Sequence, residues 1–170
     1  MNVMKRNEID REFDKMLKEN MGIILSICAT FTGRKTDKMK DLYQDIVCRL
    51  WEGWGKFRND SKVSTWVYRV ALNTAISHKR HTAAAPAFVR LDDTLLEQIA
   101  EPPPNEFVDQ LYRLIERLDE KEKAIIYLYL DNLSIQAISE TLELSPNTVK
   151  HEIHRIKIKL KEMNDHENNR

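Results

Sequence analysis

The 170-residue chain has only four glycines and five prolines. Long helices therefore meet few breakers. Runs of alternating β-branched residues closed by Asn-Gly or Asp-Gly turns are missing, which argues against hairpins and sheets. Cysteine is scarce: Cys28 and Cys48 stand alone, without a CxxC pair or a His/Cys cluster. That pattern excludes a disulfide scaffold or a zinc ribbon. Both thiols fall in apolar helix faces and read as reduced core side chains of a cytoplasmic protein. No apolar run approaches the roughly 18 residues of a membrane span. The N-terminal stretch MNVMKRNEIDREFDKM is charged throughout, unlike a signal peptide, so no membrane insertion is expected. No nucleophile–base motif, glycine-rich phosphate loop or metal-ligand spacing occurs. The expectation is a non-enzyme with no cofactor and no metal. His151 and His154 have a metal-like i, i+3 spacing, but no third ligand accompanies them.

Net charge is absent too, with 27 Lys/Arg against 27 Asp/Glu. The balance hides a partition. Residues 1–81 hold 16 Lys/Arg and 10 Asp/Glu, a net of +6. Residues 82–118 hold 3 and 7, a net of −4, and residues 119–170 hold 8 and 10, a net of −2. A basic first half, an acidic middle and a mixed end argue for separate modules. Local patches, not the total, set the field at a nucleic-acid groove.

What is present is helical periodicity. Residues 7–31 read as one or two amphipathic helices, through Phe13, Met16, Leu17, Met21, Ile24, Leu25 and Cys28. Gly33 and Thr36 interrupt them. The stretch 41–54 repeats Leu42, Ile46 and Leu50 at helical spacing, with Asp41, Gln44, Asp45 and Arg49 on the other face. Gly55 is placed to end that helix. Ser64 is placed to cap the next one, which turns Val67, Val70, Ala71 and Thr74 inward and Arg69, Asn73, Ile76 and Arg80 outward. Residues 62–81 contain no carboxylate and four cations, Lys62, Arg69, Lys79 and Arg80. Trp66 and Tyr68 lie among them. Cations interleaved with rings suit single-stranded nucleic acid, although tryptophans at helical spacing equally suit a core.

Residues 82–106 change character: small and apolar, then acidic, then Pro102-Pro103-Pro104, which forbids helix. This composition reads as a flexible linker. Helical pattern returns with the stripe Phe107, Leu111, Leu114, Ile115 and Leu118. Asp119 with Glu122 forms a capping-box pattern, and Asp131-Asn132 ends that helix. Ser134 caps a short helix holding Ile135, Ile138 and Leu142. After a break at Glu143-Leu144, Ser145-Pro146 opens another helix, with Val149, Ile153, Ile156 and Leu160 inward. Residues 145–161 carry five cations and one carboxylate. Two helices, a tight break and a second helix with a basic face form a helix-turn-helix pattern. Its second helix fits a major groove, N-terminal residues towards base edges and cations towards phosphates.

Taken together, the two ends resemble bacterial sigma factors of the extracytoplasmic-function (ECF) group over most of the chain. DLYQDIVCRLW resembles the helix of region 2 that docks on polymerase. FRNDSKVSTWVYRVALNTAISHKRH resembles the promoter-melting segment. LDEKEKAIIYLYLDNLSIQAISETLELSPNTVKHEIHRIKIKLKE resembles region 4, the reader of the minus-35 element. The resemblance implies an all-α protein of two small domains. Region 2 would span 7–81 as three or four helices, the linker 82–106, region 4 107–163, and a disordered tail 164–170. It implies a transcription initiation factor that brings core RNA polymerase to promoter DNA, touching the beta-prime clamp and the beta flap. It also implies control by an anti-sigma factor.

Carried over by position, Asp41, Leu42, Gln44, Asp45 and Arg49 would face polymerase. Arg58, Asn59, Asp60, Ser61 and Lys62 would pocket a flipped minus-10 base. Trp66, Arg69, Asn73, Lys79 and Arg80 would hold the strand beside it. Ser145, Asn147, Thr148, Lys150, His151, His154, Arg155 and Lys157 would lie at the minus-35 groove. The chain departs from the family pattern at Glu143, where glycine is usual, and at Asn147, His151, Glu152 and Ile156. The rival reading is a conventional helix-turn-helix regulator that binds duplex DNA without polymerase.

Overall fold

The computed structural model describes residues 3–33, 36–58, 61–78 and 106–168. Among them are eight helices and no strand. In the first half these are α1 (Val3–Glu19), α2 (Met21–Thr32), α3 (Thr36–Trp54) and α4 (Val63–His78). In the second they are α5 (Glu106–Glu116), α6 (Glu120–Leu130), α7 (Ile135–Leu142) and α8 (Pro146–Asn168). Of residues 82–106, expected to form the linker, 82–105 lie outside the described residues and Glu106 opens α5.

The first half is built around α2, α3 and α4, which pack on one another, while α1 leads into α2 and its Phe13 packs on Trp51 and Trp54 of α3. Only a bend at Asn20 separates α1 from α2. There Asn20 Nδ2 donates to the Met16 carbonyl at 2.8 Å. Ile24, Ile27, Leu42, Tyr43, Ile46, Val47, Leu50, Val67 and Leu72 are fully buried. Each such side chain contributes about 1.5–3 kcal/mol through lost water contact. Desolvation pushes the Cys28 thiol up to about 12, so it stays neutral. Both cysteines are free.

Helix α4 starts two residues earlier than a Ser64 cap implies: it begins at Val63, and the Trp66 N–H bonds the Lys62 carbonyl at 3.1 Å. Its buried face is Val67, Tyr68, Ala71, Leu72 and Ala75, with Val70 and Thr74 only half-buried. The inward stripe is thus wider than the sequence implies, because α2 and α3 flank the helix on two sides.

The second half follows its capping chemistry closely. The Asp119 carboxylate accepts from the N–H groups of Lys121 and Glu122, and Glu122 reaches back to the Asp119 N–H. Ser134 caps α7 by accepting from the Ala137 N–H at 3.1 Å. Ser145 caps α8 by accepting from the Thr148 N–H at 3.1 Å, and Pro146 takes the first helical position. Glu143 closes α7 in the left-handed region at φ 56°. A residue with a Cβ bears about 1–2 kcal/mol of strain there. Ser139 braces the turn by donating to the Leu144 carbonyl at 2.5 Å.

Two expectations are corrected here. Residues 164–168 are not a loose tail but the last turns of α8. Gln110 donates to Asn164 at 2.6 Å and Arg117 pairs with Glu167 at 2.7 Å, so α5 holds them in place. Phe107, expected in the apolar stripe of α5, is 85 % exposed on the first turn of that helix.

The halves also pack against each other. Helix α2 touches α5 and α6, and α4 touches α6 and α7. Gly33 caps α2 at φ 60°, and a Cβ there would meet the end of the Glu116 side chain. Glycine suits this point for the backbone angle.

Candidate nucleic-acid interface

Helix α8 presents its N-terminal turns to solvent. Ser145, Asn147, Thr148, Lys150, His151, His154, Arg155 and Lys157 are all exposed. They are held there because Val149, Ile153, Ile156 and Leu160 anchor the opposite stripe on α5, α6 and α7. Two of the basic residues are braced. Lys157 Nζ donates to the Tyr129 hydroxyl at 2.7 Å and lies 4.1 Å from the ring centroid. Arg155 pairs with Glu152 at 2.5 Å and approaches Glu122 at 3.8 Å. The buried Glu122 also takes a 2.7 Å bond from Lys159. One carboxylate thereby joins the start of α6 to the middle of α8, a tie that no spacing rule within a single helix reveals.

The first half offers a different surface. Trp54, Phe57 and Trp66 form a ring cluster: Trp54 and Phe57 stack at 6.0 Å, and Phe57 lies 5.0 Å from Trp66. Phe13 adds edge contacts to Trp51 at 4.9 Å and Trp54 at 6.2 Å. Trp66 is half-buried in this cluster, and sequence spacing did not single out Phe57 as part of it. Arg58 and Lys62 are exposed and Ser61 is half-buried beside it. Asn59, Asp60, Lys79 and Arg80 lie outside the described residues. Asn73 is exposed on α4. Arg69 is half-buried and donates to the Glu140 carbonyl at 2.7 Å. Tyr68 is buried and donates to the Asp131 carboxylate. It therefore presents no ring to a base.

On α3, Asp41 and Arg49 are exposed, and Gln44 and Asp45 are half-buried. Leu42 is 1 % exposed and packs in the core. Its placement as a polymerase contact is corrected, since it lies on the same stripe as Ile46 and Leu50. Arg49 lies 3.7 Å from Glu52 on its own helix. No helix among the described residues is long and apolar enough to cross a membrane.

Two packed helical units, one ending in a helix-turn-helix with a solvent-facing cationic helix, define a class of DNA-directed factor. Residues 16–84 match the family model for Sigma-70 region 2, and residues 109–160 match that for Sigma-70, region 4. The RNA polymerase sigma-H factor of Pseudomonas aeruginosa is 25% identical over 159 residues, spanning 85% of this chain and 82% of that protein. The ECF RNA polymerase sigma-E factor of Escherichia coli K12 is 28% identical over 129 residues, 68% of each chain. Among solved structures, CnrH in complex with the cytosolic domain of CnrY shares the fold. Its TM-score is 0.61 at 20% identity, covering 92% of this chain and 89% of that one. The chain belongs to the ECF group of RNA polymerase sigma factors, which bring core polymerase to promoters.

Proposed function

We propose that the two halves divide the work of initiation as follows. Residues 107–163 read the minus-35 duplex through the exposed stripe of α8, from Ser145 to Lys157. Residues 7–81 dock on core polymerase through Asp41, Gln44, Asp45 and Arg49. The same half holds the melted minus-10 strand with Arg58–Lys62, Trp66, Arg69, Asn73, Lys79 and Arg80, and residues 82–106 join the two. The protein acts in the cytoplasm as a binding factor and not as an enzyme.

The observation that carries this reading is the α8 stripe: seven polar or cationic side chains exposed on one helix and Ser145 exposed at its cap, with its N-terminus free to face a groove. Phosphates meet Lys150 and Lys157, while Asn147, Thr148 and His151 reach base edges. An anti-sigma partner belongs to the same proposal, supported by CnrH having been solved with the cytosolic domain of CnrY.

The test is co-elution with bacterial core RNA polymerase, using the wild type and Asp45→Arg. The wild type should co-elute, and the charge reversal should abolish binding while circular dichroism stays unchanged. If neither protein binds polymerase and both hold duplex DNA, the chain works as a conventional regulator instead.

A further inference from the structure

Helix α8 has a rim on either side of its outermost line, which runs through Asn147, His151 and His154. Steps of three and four residues put Lys150, Lys157 and Lys161 on one rim, and Glu152, Arg155 and Lys159 on the other. A helix seated in a major groove has a phosphate backbone along each side. The two rims would therefore meet different strands.

Their charges differ. The three lysines of the first rim are exposed. Among the described residues, none of them pairs with a carboxylate, and Lys157 is braced by the neutral Tyr129 hydroxyl. On the second rim, Arg155 Nη2 lies 2.5 Å from Glu152 Oε2 and 3.8 Å from Glu122 Oε1. Lys159 Nζ lies 2.7 Å from Glu122 Oε2. Two cations thus face two carboxylates, and this rim is electrically balanced.

The two carboxylates are not equivalent. The Glu122 side chain is 6% exposed and also accepts the Asp119 N–H at the start of α6, so it is fixed in place. Glu152 is 29% exposed and is the one carboxylate of residues 145–161. It is the member free to swing away. Both two-donor edges of a guanidinium, Nε with Nη2 and Nη1 with Nη2, include Nη2. A phosphate that takes two bonds from Arg155 must therefore take that nitrogen from Glu152.

We propose that Glu152 sets the strength of the duplex grip by withholding Arg155. Helix α8 holds one phosphate backbone, along Lys150, Lys157 and Lys161, and offers a neutral rim to the other. Arg155 adds a phosphate contact only where Glu152 gives it up. The inference rests on the proposed seating of α8 in a groove.

The test measures binding of the full chain to a labelled DNA duplex of mixed sequence, by anisotropy across a salt series. It uses the wild type, Glu152→Gln, Arg155→Ala, the double variant Glu152→Gln/Arg155→Ala, and Lys150→Ala. Glutamine keeps the size and helix preference of Glu152, so circular dichroism should be unchanged. Glu152→Gln should bind about five-fold tighter, with a salt slope steeper by about one. With Arg155 already replaced, the same change should lose most of that gain and leave the slope as it was. An unchanged affinity and slope in Glu152→Gln overturns the proposal. So does an equal gain in both backgrounds, because Glu152 would then act by general repulsion and not through Arg155. Lys150→Ala separates the proposal from the reading beneath it. If that variant binds duplex as the wild type does, α8 is not the helix in the groove, and both fall.

Discussion

Helices α4 and α8 are the two surfaces that nucleic acid would meet, and they stand in opposite states. The cations of α8 face water, and its braces, such as Lys157 on Tyr129, come from its own half. Arg69 and Tyr68 of α4 are bound to groups from the other half. On that assignment duplex DNA would meet α8 without parting the halves, whereas a single strand would have to compete for α4. Readiness to bind is set here by which neighbours a cation already has, more than by how many cations a helix carries.

The sharpest way to break this comparison is to remove the base that holds α4. Leu42→Ala leaves a hole under α3 and α4 and should cost about 2–5 kcal/mol in chemical denaturation. A loss under about 1 kcal/mol would return Leu42 to the surface. A smaller effect is expected on α8. Lys150→Ala should weaken duplex binding several-fold and lower the salt slope by about one, while affinity for single strands stays unchanged. An equal loss on both substrates would mean that the helices do not act separately. The smallest effect isolates the turn. Asn132 and Glu143 both have positive φ, but only Glu143 reaches α4. Asn132→Gly should shift stability by no more than a few tenths of a kcal/mol, since asparagine already tolerates this region, and should leave the radius of gyration unmoved.

Local signals carried the second half well. The pairing of Asp119 with Glu122, the Ser134 cap and the Ser145-Pro146 start all act within four residues of chain, so a linear reading finds them. What it missed depends on distant neighbours. Ile126 and Tyr127 are buried along with Ile125 and Leu128, because α2 and α4 cover faces of α6 that an independent module would leave wet. The last turns of α8 look frayed by composition, yet Gln110 and Arg117 tie them down from 54 and 50 residues away. Tyr68 reads as a stacking ring until Asp131, 63 residues on, takes its hydroxyl. At the site, the exposure of the α8 residues followed from helical spacing. Leu42 was misplaced because a helix face inferred by likeness was set above its own apolar stripe.

The ring cluster has a consequence for how the molecule can be watched. All three tryptophans of the chain, at positions 51, 54 and 66, lie in the first half within one group of neighbouring rings. The second half contains none. Tryptophan emission, excited beyond tyrosine absorption, is therefore a built-in reporter of one half alone. It will register the melting of α3 and α4, or a base settling on Phe57 and Trp66, and stay silent when α8 frays. Set beside a signal that counts all helices equally, it separates the fates of the two halves without a single added dye.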